Sequence, residues 1–299
     1  MVSPKYLKGG DKIAIIAPAG KIDKNSVNFA KEKLESWGLN VVLGEHLFKN
    51  HFQYSGKDKE RLSDFQKALD DNDIKAVLCA RGGYGLIRII DQLDFTSLQK
   101  NPKWIIGFSD ITILHSHVHS NFGIETLHAT MAAGLTDHSS AELLRNVLFG
   151  NSLKYQLDTT LLSKHGKAKG ILIGGNLAML CSLIGSKSDI TTTGKILFIE
   201  DVGEYLYRLD RMMWQLKRAG KLQNLAGLIV GGMRDMKDND DPFGKTAYEI
   251  IAEAVEEYNY PVYYRFPAGH QTNRRTLILG RQADLSIGEK TTLNFELLR

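Results

Sequence analysis

The sequence predicts an α/β protein with a parallel N-terminal sheet, followed by a second region of α+β character. Two observations carry this reading. From Lys12 to His119, short apolar runs alternate with amphipathic segments of helical period, the pattern of βαβ units whose sheet is covered on both faces. After a polar stretch from Thr136 to Lys169 the rhythm changes to mixed strands and helices that end in a meander. The length of 299 residues agrees, since it allows about two domains.

The elements follow in order. Lys12–Ala17 reads as a buried strand, and Asn25–Trp37 as a helix that turns Phe29, Leu34 and Trp37 inward and stops at Gly38. Leu39–Leu43 is a strand, and Asp58–Asp70 a charged helix with Leu62, Phe65 and Leu69 on one face. Ile74–Ala80 (strand), Leu86–Leu93 (helix), Lys103–Phe108 (strand) and Ile111–His119 (helix) complete the first half. The second half holds strands at Lys195–Ile199, Leu225–Val230 and Pro261–Phe266 and helices at Arg208–Ala219 and Thr246–Glu257. The tail, Thr276–Arg299, reads as three short strands with turns at Gly280–Arg281 and Gly288–Lys290. Together these place an N-terminal domain over 1–140, a linker over 141–168 and a C-terminal domain over 169–299.

Composition narrows the class of function. Hydrophobic residues make up 43% and charged residues 24%, which excludes a disordered or fibrous chain. The 38 basic and 34 acidic residues leave a net charge of +4 with no long run of either sign, so no nucleic-acid partner is expected. Only two cysteines, Cys79 and Cys181, are present, both in apolar runs, which favours a reducing compartment over a disulfide framework. The apolar run Ile13–Ala17 is too short for a secretory signal, and no stretch reaches a membrane span. A cytoplasmic location with no membrane association is therefore expected.

The chemistry should lie beyond the carboxyl ends of the parallel strands. There the sequence places Gly107-Phe108-Ser109-Asp110, where an apolar strand runs into Gly-x-Ser and a helix follows at once. A serine on such a turn projects its hydroxyl above the sheet, beside the free N–H groups of a helix start. Ile111 stands where the usual elbow has a second glycine. Ser109 as a helix cap is the competing reading. The loop Arg81-Gly82-Gly83-Tyr84-Gly85 follows the preceding strand. It lacks the full dinucleotide or Walker pattern, and fits either a tight turn or a set of oxyanion-binding N–H groups.

A nucleophilic serine needs a base and an orienting carboxylate. Of 9 histidines, His115, His117 and His119 fall on one helix, and His115 and His119 share a face without the third ligand of a metal motif. His46, His51, His128, His138 and His165 read as loop or polar-surface groups. His270, in Ala268-Gly269-His270-Gln271 beyond a strand, is placed as a loop base. Glu200 and Asp201 end an apolar strand, and Glu204 competes with Glu200 for the orienting role or serves the next helix start.

With these residues the sequence resembles the LD-carboxypeptidase family of serine peptidases, which includes the microcin C self-immunity peptidases. The resemblance runs through Ala17-Pro18-Ala19, Arg81–Gly85, Gly107–Asp110, Gly174-Gly175-Asn176, Glu200–Glu204 with Tyr207–Arg211, and Gly269-His270. It implies a catalytic triad of Ser109, Glu200 and His270 formed across two domains. The first would be a Rossmann-like or flavodoxin-like parallel-sheet domain, and the second an α+β domain around a small β-barrel-like sheet. It further implies no metal or other cofactor, a homodimer, and a murein tetrapeptide substrate that loses its terminal D-alanine during cell-wall recycling. On this reading the N–H groups of Asp110 and Gly83 (or Gly82) hold the oxyanion. Arg81 or amides near it bind the terminal carboxylate, and Asn176 either contacts substrate or caps the helix Leu177–Leu183. Two alternatives remain: an immunity-type peptidase acting on aminoacyl-nucleotides, and a catalytically inactive small-molecule binding protein.

Overall fold

The structure, a computed structural model, describes residues 1–296, so the last three positions of the tail lie outside the described residues. The first sheet is assembled from β1 (Lys12–Ile16), β2 (Asn40–Leu43), β3 (Ile74–Cys79), β4 (Trp104–Gly107) and β5 (Thr126–His128), all parallel. Between and after them run α1 (Lys24–Glu35), α2 (Asp58–Asp70), the short α3 (Thr96–Lys100), α4 (Thr112–Phe122) and α5 (His138–Leu148). Strands 2-1-3-4-5 lie side by side, the flavodoxin-like order, whose crevice opens where the winding reverses between β1 and β3. Local chemistry sets the helix starts. Asp23 caps α1 by accepting from the Ser26 N–H at 2.8 Å, and Asp137 caps α5 through Ser140.

The second sheet contains β6 (Lys154–Asp158) and β7 (Gly166–Asn176), then α6 (Leu177–Leu183), β8 (Ile196–Val202) and α7 (Leu206–Arg218). It continues with β9 (Gly227–Arg234), α8 (Ala247–Ala254) and β10 (Val262–Tyr264). After β11 (Leu277–Leu279) the chain adds β12 (Gln282–Ile287) and β13 (Lys290–Phe295). Its order is β10-β9-β8-β7-β12-β13-β6, parallel from β10 to β7 and antiparallel beyond. The barrel-like expectation is met as a curl rather than a closed barrel. Lys164, just past the β6 edge, bridges to Val262 on the β10 edge, and Tyr263 donates its hydroxyl to the Asp158 carbonyl at 2.9 Å.

Three expectations change. The segment 141–168 is no linker: it holds most of α5, all of β6 and the start of β7. Its polar composition conceals one apolar helix face, Ala141, Leu144, Val147 and Leu148, buried in the core shared by both sheets. Residues Leu277–Leu279, assigned by sequence to the C-terminal domain, instead pair antiparallel with β5 at the edge of the first sheet. The helix expected over Leu86–Leu93 is two single turns, Leu86–Arg88 and Ile90–Gln92. The β-branched Ile87, Ile89 and Ile90 are poor helix formers, and packing of the buried Leu86, Ile89 and Ile90 decides the backbone there.

The two sheets are fastened where β11 joins β12. Arg281, on that turn and 4% exposed, reaches the 2%-exposed Glu125 with Nε at 3.1 Å and Nη2 at 2.6 Å, and also donates to Tyr6 and Ser3. The backbone continues the link, with Gly280 N–H donating to Leu172 O at 2.7 Å and Leu172 N–H to Arg281 O at 2.9 Å. A buried pair tolerates joint apolar replacement far better than loss of one partner. Arg281→Met is therefore expected to cost about 3–5 kcal/mol in denaturant unfolding, and the double variant with Glu125→Leu markedly less.

Candidate active site

Ser109 follows β4 through an extended Phe108 and sits at φ 65°, in the left-handed region, at the start of a single turn that leads into α4. A non-glycine residue there is strained, which is how a strand-to-helix elbow lifts its hydroxyl clear of the sheet. Ile111 replaces the usual second glycine because Gly107 yields the room. A Cβ on Gly107 would stand 2.8 Å from Ile111 Cγ1, so the buried isoleucine folds back over the strand end.

His270 lies 3.1 Å by Nε2 from Ser109 Oγ, and its Nδ1 is 2.7 Å from Glu200 Oε2. The same carboxylate oxygen accepts the His270 backbone N–H at 3.2 Å, fixing ring and main chain together. Glu200 is fully buried, at a register shift between β8 and β9, a device that re-aims a side chain. Asp201, next along, turns toward α6 and accepts from the Asn176 side-chain amide and the Ala178 N–H. Burial pushes its carboxyl up to about 6, against the opposing bond from the Val202 N–H. Gly269, at φ 93°, makes the approach of His270 possible: a Cβ there would fall 2.6 Å from Glu200 Cγ.

The glycine loop after β3 lies against Ser109. A Cβ on Gly82 would be 2.9 Å from Ser109 Cβ, and Gly83, at φ 111°, packs on the backbone of Gly20. Three bonds hold the loop: Gly20 N–H to Gly82 O (2.9 Å), Arg61 Nη1 to Gly85 O (3.0 Å), and Leu86 N–H to Asp110 Oδ2 (2.9 Å). The Asp110 carboxyl is buried and pushed up to about 6 by that burial, offset in part by the Leu86 N–H. Its own N–H stands in the first turn before α4, where helical amides lack intrahelical acceptors. A cavity of about 430 Å³ opens over the site, lined by Arg81, Gly82, Gly83, Ser109, His270 and Arg274 among others. A hydroxyl, an imidazole and a carboxylate in line, beside the amides of a glycine loop and a helix start, form an arrangement competent for acyl transfer.

Known proteins carry the same architecture. The description "LD-carboxypeptidase N-terminal domain" matches residues 13–129, and "LD-carboxypeptidase C-terminal domain" matches residues 169–285. The chain belongs to the LD-carboxypeptidase family. It is 36% identical to a protein of Bacillus subtilis (strain 168) named "Probable murein peptide carboxypeptidase", over 97% of this chain and 93% of the relative. The crystal structure of muramoyltetrapeptide carboxypeptidase from Oxalobacter formigenes superposes with a TM-score of 0.85 at 28% identity, covering 95% of this chain and 98% of that one. The microcin C7 self immunity protein MccF in complex with aspartyl sulfamoyl adenosine superposes at 0.88 over 99% of both chains. At 24% identity that likeness is one of fold.

Within this family member, Ser109, Glu200 and His270 come together, and Arg81, Gly82 and Gly83 line the same cavity. Asn176 does not line it: buried at the N-terminus of α6, it caps that helix by accepting from the Met179 N–H. Glu204 lies four residues past Glu200 in the loop before α7, and it is Glu200 whose carboxylate meets His270. His128, expected in loop or polar surroundings, is instead buried in β5 with its ring edge-on to Phe198, because strand β5 is central once β11 covers it. Arg274 was not singled out by sequence; its one signal was proximity to His270. Among the described residues no cluster of three metal-ligating side chains occurs, and no helix is long and apolar enough to cross a membrane.

Two outcomes follow from these contacts. Gly269→Ala is expected to cut carboxypeptidase turnover about 100-fold or more while circular dichroism stays unchanged, since displacing Glu200 moves His270 away from Ser109. The second concerns His115, buried and donating through Nε2 to Gly107 O at 2.9 Å, whose pKa burial lowers to about 4 despite that bond. Folded His115 stays neutral while the unfolded chain takes up a proton below its ordinary value, so its contribution is complete above about pH 6.5 and is lost as pH falls toward 4. Between pH 7 and 5 this amounts to about 2 kcal/mol, and His115→Gln should lose that much less over the interval in denaturant titrations.

Proposed function

We propose that this protein is a serine-type LD-carboxypeptidase that releases the terminal D-alanine from a murein tetrapeptide. One observation carries the reading: the Ser109–His270–Glu200 line, at 3.1 and 2.7 Å, opens into a cavity sized for a peptide end. His270 Nε2 takes the proton from Ser109 as its Oγ attacks the carbonyl that joins the L-centre to D-alanine. The N–H groups of Asp110 and Gly83 receive the negative charge that develops on the carbonyl oxygen. Glu200 holds the imidazole in register and balances its positive charge. Collapse of the tetrahedral intermediate breaks the C–N bond, the imidazolium gives its proton to the departing amine, and D-alanine leaves. Water, deprotonated by the same imidazole, then attacks the acyl-serine and restores the enzyme. The chain needs no metal or other cofactor for these steps.

The substrate assignment is supported by the names of the relatives from Bacillus subtilis and Oxalobacter formigenes. An aminoacyl-nucleotide substrate is the weaker reading. Phe108, the cavity-lining residue with a carbocyclic ring, lies under the Arg274 guanidinium at 5.0 Å, so that face is not open to a nucleobase. A cytoplasmic location, in keeping with recycled wall fragments as substrate, and a homodimeric state complete the proposal. We also assign the nucleophile and the oxyanion loop to the N-terminal domain, with base and acid contributed by the C-terminal one.

Ser109→Ala should lower D-alanine release from L-Ala-γ-D-Glu-meso-diaminopimelyl-D-Ala by roughly 10⁴-fold or more, with unfolding midpoint unchanged. Mass spectrometry of the digest reads the outcome, and full activity in that variant would overturn the reading.

A further inference from the structure

An exopeptidase must recognise the free carboxylate of the residue it removes, which lies two covalent bonds beyond the scissile nitrogen. The group that does so has to sit beside the nucleophile and carry donors or positive charge. Two cations line the cavity over Ser109, Arg81 and Arg274, and no carboxylate is among its lining residues. Their surroundings differ. Arg81 is exposed, and its guanidinium makes one long bond, Nη1 to the Lys21 carbonyl at 3.3 Å. Arg274 is part-buried and held from three sides. Its Nε donates to Gln271 O at 3.0 Å, its Nη1 to Thr130 Oγ1 at 3.1 Å, and its plane covers the Phe108 ring at 5.0 Å. Gln271 is the residue after His270, and Phe108 the residue before Ser109, so the guanidinium is tied to the chain neighbours of both side chains. Gly134 makes the space, since a Cβ there would stand 2.6 Å from Arg274 Nη1.

Among the described residues this fixed cation makes no ion pair, although Asp137 and Glu200 lie near enough to act on it through space. Among the described residues no carboxylate lies within 4.0 Å of it. The nearby acids are already engaged: Glu200 with His270, and Asp137 with Ser140 and Asn273. Its Nη2 donates to no protein acceptor among the described residues, while Nε and Nη1 are both used in holding the side chain. A guanidinium withdrawn from water and left uncompensated is costly, and burial accordingly lowers the Arg274 pKa, against the opposing pull of Asp137 and Glu200. A ligand carboxylate restores the missing charge in a geometry that suits the planar fork.

We infer that Arg274 binds the terminal carboxylate of the substrate and so confines cleavage to the last residue of the peptide, an assignment that rests on the carboxypeptidase reading above. Arg81, at the exposed rim, does not fill this role. The oriented carboxylate sets the scissile carbonyl against Ser109 Oγ, and its charge is matched by a group that stays in place when the departing amine takes its proton.

The test compares the free tetrapeptide with its C-terminal amide as substrates for the wild-type enzyme, Arg274→Gln, Arg274→Lys and Arg81→Gln. The wild type should prefer the free acid. In Arg274→Gln, kcat/KM on the free acid should fall about 100-fold, mostly through KM, while the slow turnover of the amide stays within about two-fold, so the preference collapses. Arg274→Lys should recover part of it, and Arg81→Gln should keep it in full. Retention of the wild-type preference in Arg274→Gln would overturn the assignment. So would an equal loss on both substrates, which would mean that Arg274 only supports the Phe108–His270 neighbourhood. A wild type that cleaves neither peptide would instead overturn the carboxypeptidase reading itself, and this assignment with it.

Discussion

The hydrogen-bonded line from Ser109 through His270 to Glu200 joins side chains from two different sheets, and the rest of the molecule is arranged around keeping it in register. A hydroxyl on the β4 elbow and a carboxylate on β8 must stay within hydrogen-bond reach of one imidazole, a tolerance of a few tenths of an ångström. Loose domains joined by a linker would not meet that demand. Instead β11 leaves the second half of the chain to pair with β5, and Arg281 and Glu125 close the corner behind it. A third fastening lies nearer the site, where the Asn176 N–H donates to Thr112 Oγ1 at 2.9 Å, linking the end of β7 to the start of α4. One apolar core runs through residues of both sheets, from Ile13 and Trp104 to Phe198 and Leu285, so sliding one against the other would open cavities.

Close backbone approach is the second constraint. Gly82 beside Ser109, Gly107 beneath Ile111 and Gly269 beside Glu200 each occupy a place where a methyl group would collide. The polar groups that direct these loops are buried, and each is held by at least one long-range bond. Asp110 takes the Leu86 N–H, Asp201 the amides of Ala178 and Asn176, and Arg61 reaches the carbonyls of Pro18 and Gly85. Each is a long-range contact that orders a loop at its own desolvation cost, with the elevated carboxyl pKa of Asp110 and Asp201 as the sign of that cost.

Much of this was legible beforehand. The parallel order of the first half follows from apolar runs spaced by helical periods. Ser109 was legible because strand, Gly-x-Ser and helix are contiguous, so local geometry alone raises the hydroxyl. His270 and Glu200 were readable only as loop and strand-end groups, and it was the ordered set of family motifs that joined them. Arg274 escaped notice for a clear reason: its partners Thr130, Phe108 and Gly134 are all more than a hundred residues away in the chain. The same distance hid α5 and β6 inside a polar stretch, and gave β11 to the wrong sheet.

What the sequence determined by itself was therefore what neighbouring residues decide: the alternation of strands and helices, the strand-to-helix elbow, and the glycines that permit close turns. Only the tertiary structure decided which sheet β11 completes, that His128 is enclosed, that Asn176 caps a helix outside the cavity, and which arginine is held in place in the cavity over Ser109. These depend on packing and charge between segments distant in sequence, whose free energy is realised only when the whole core closes.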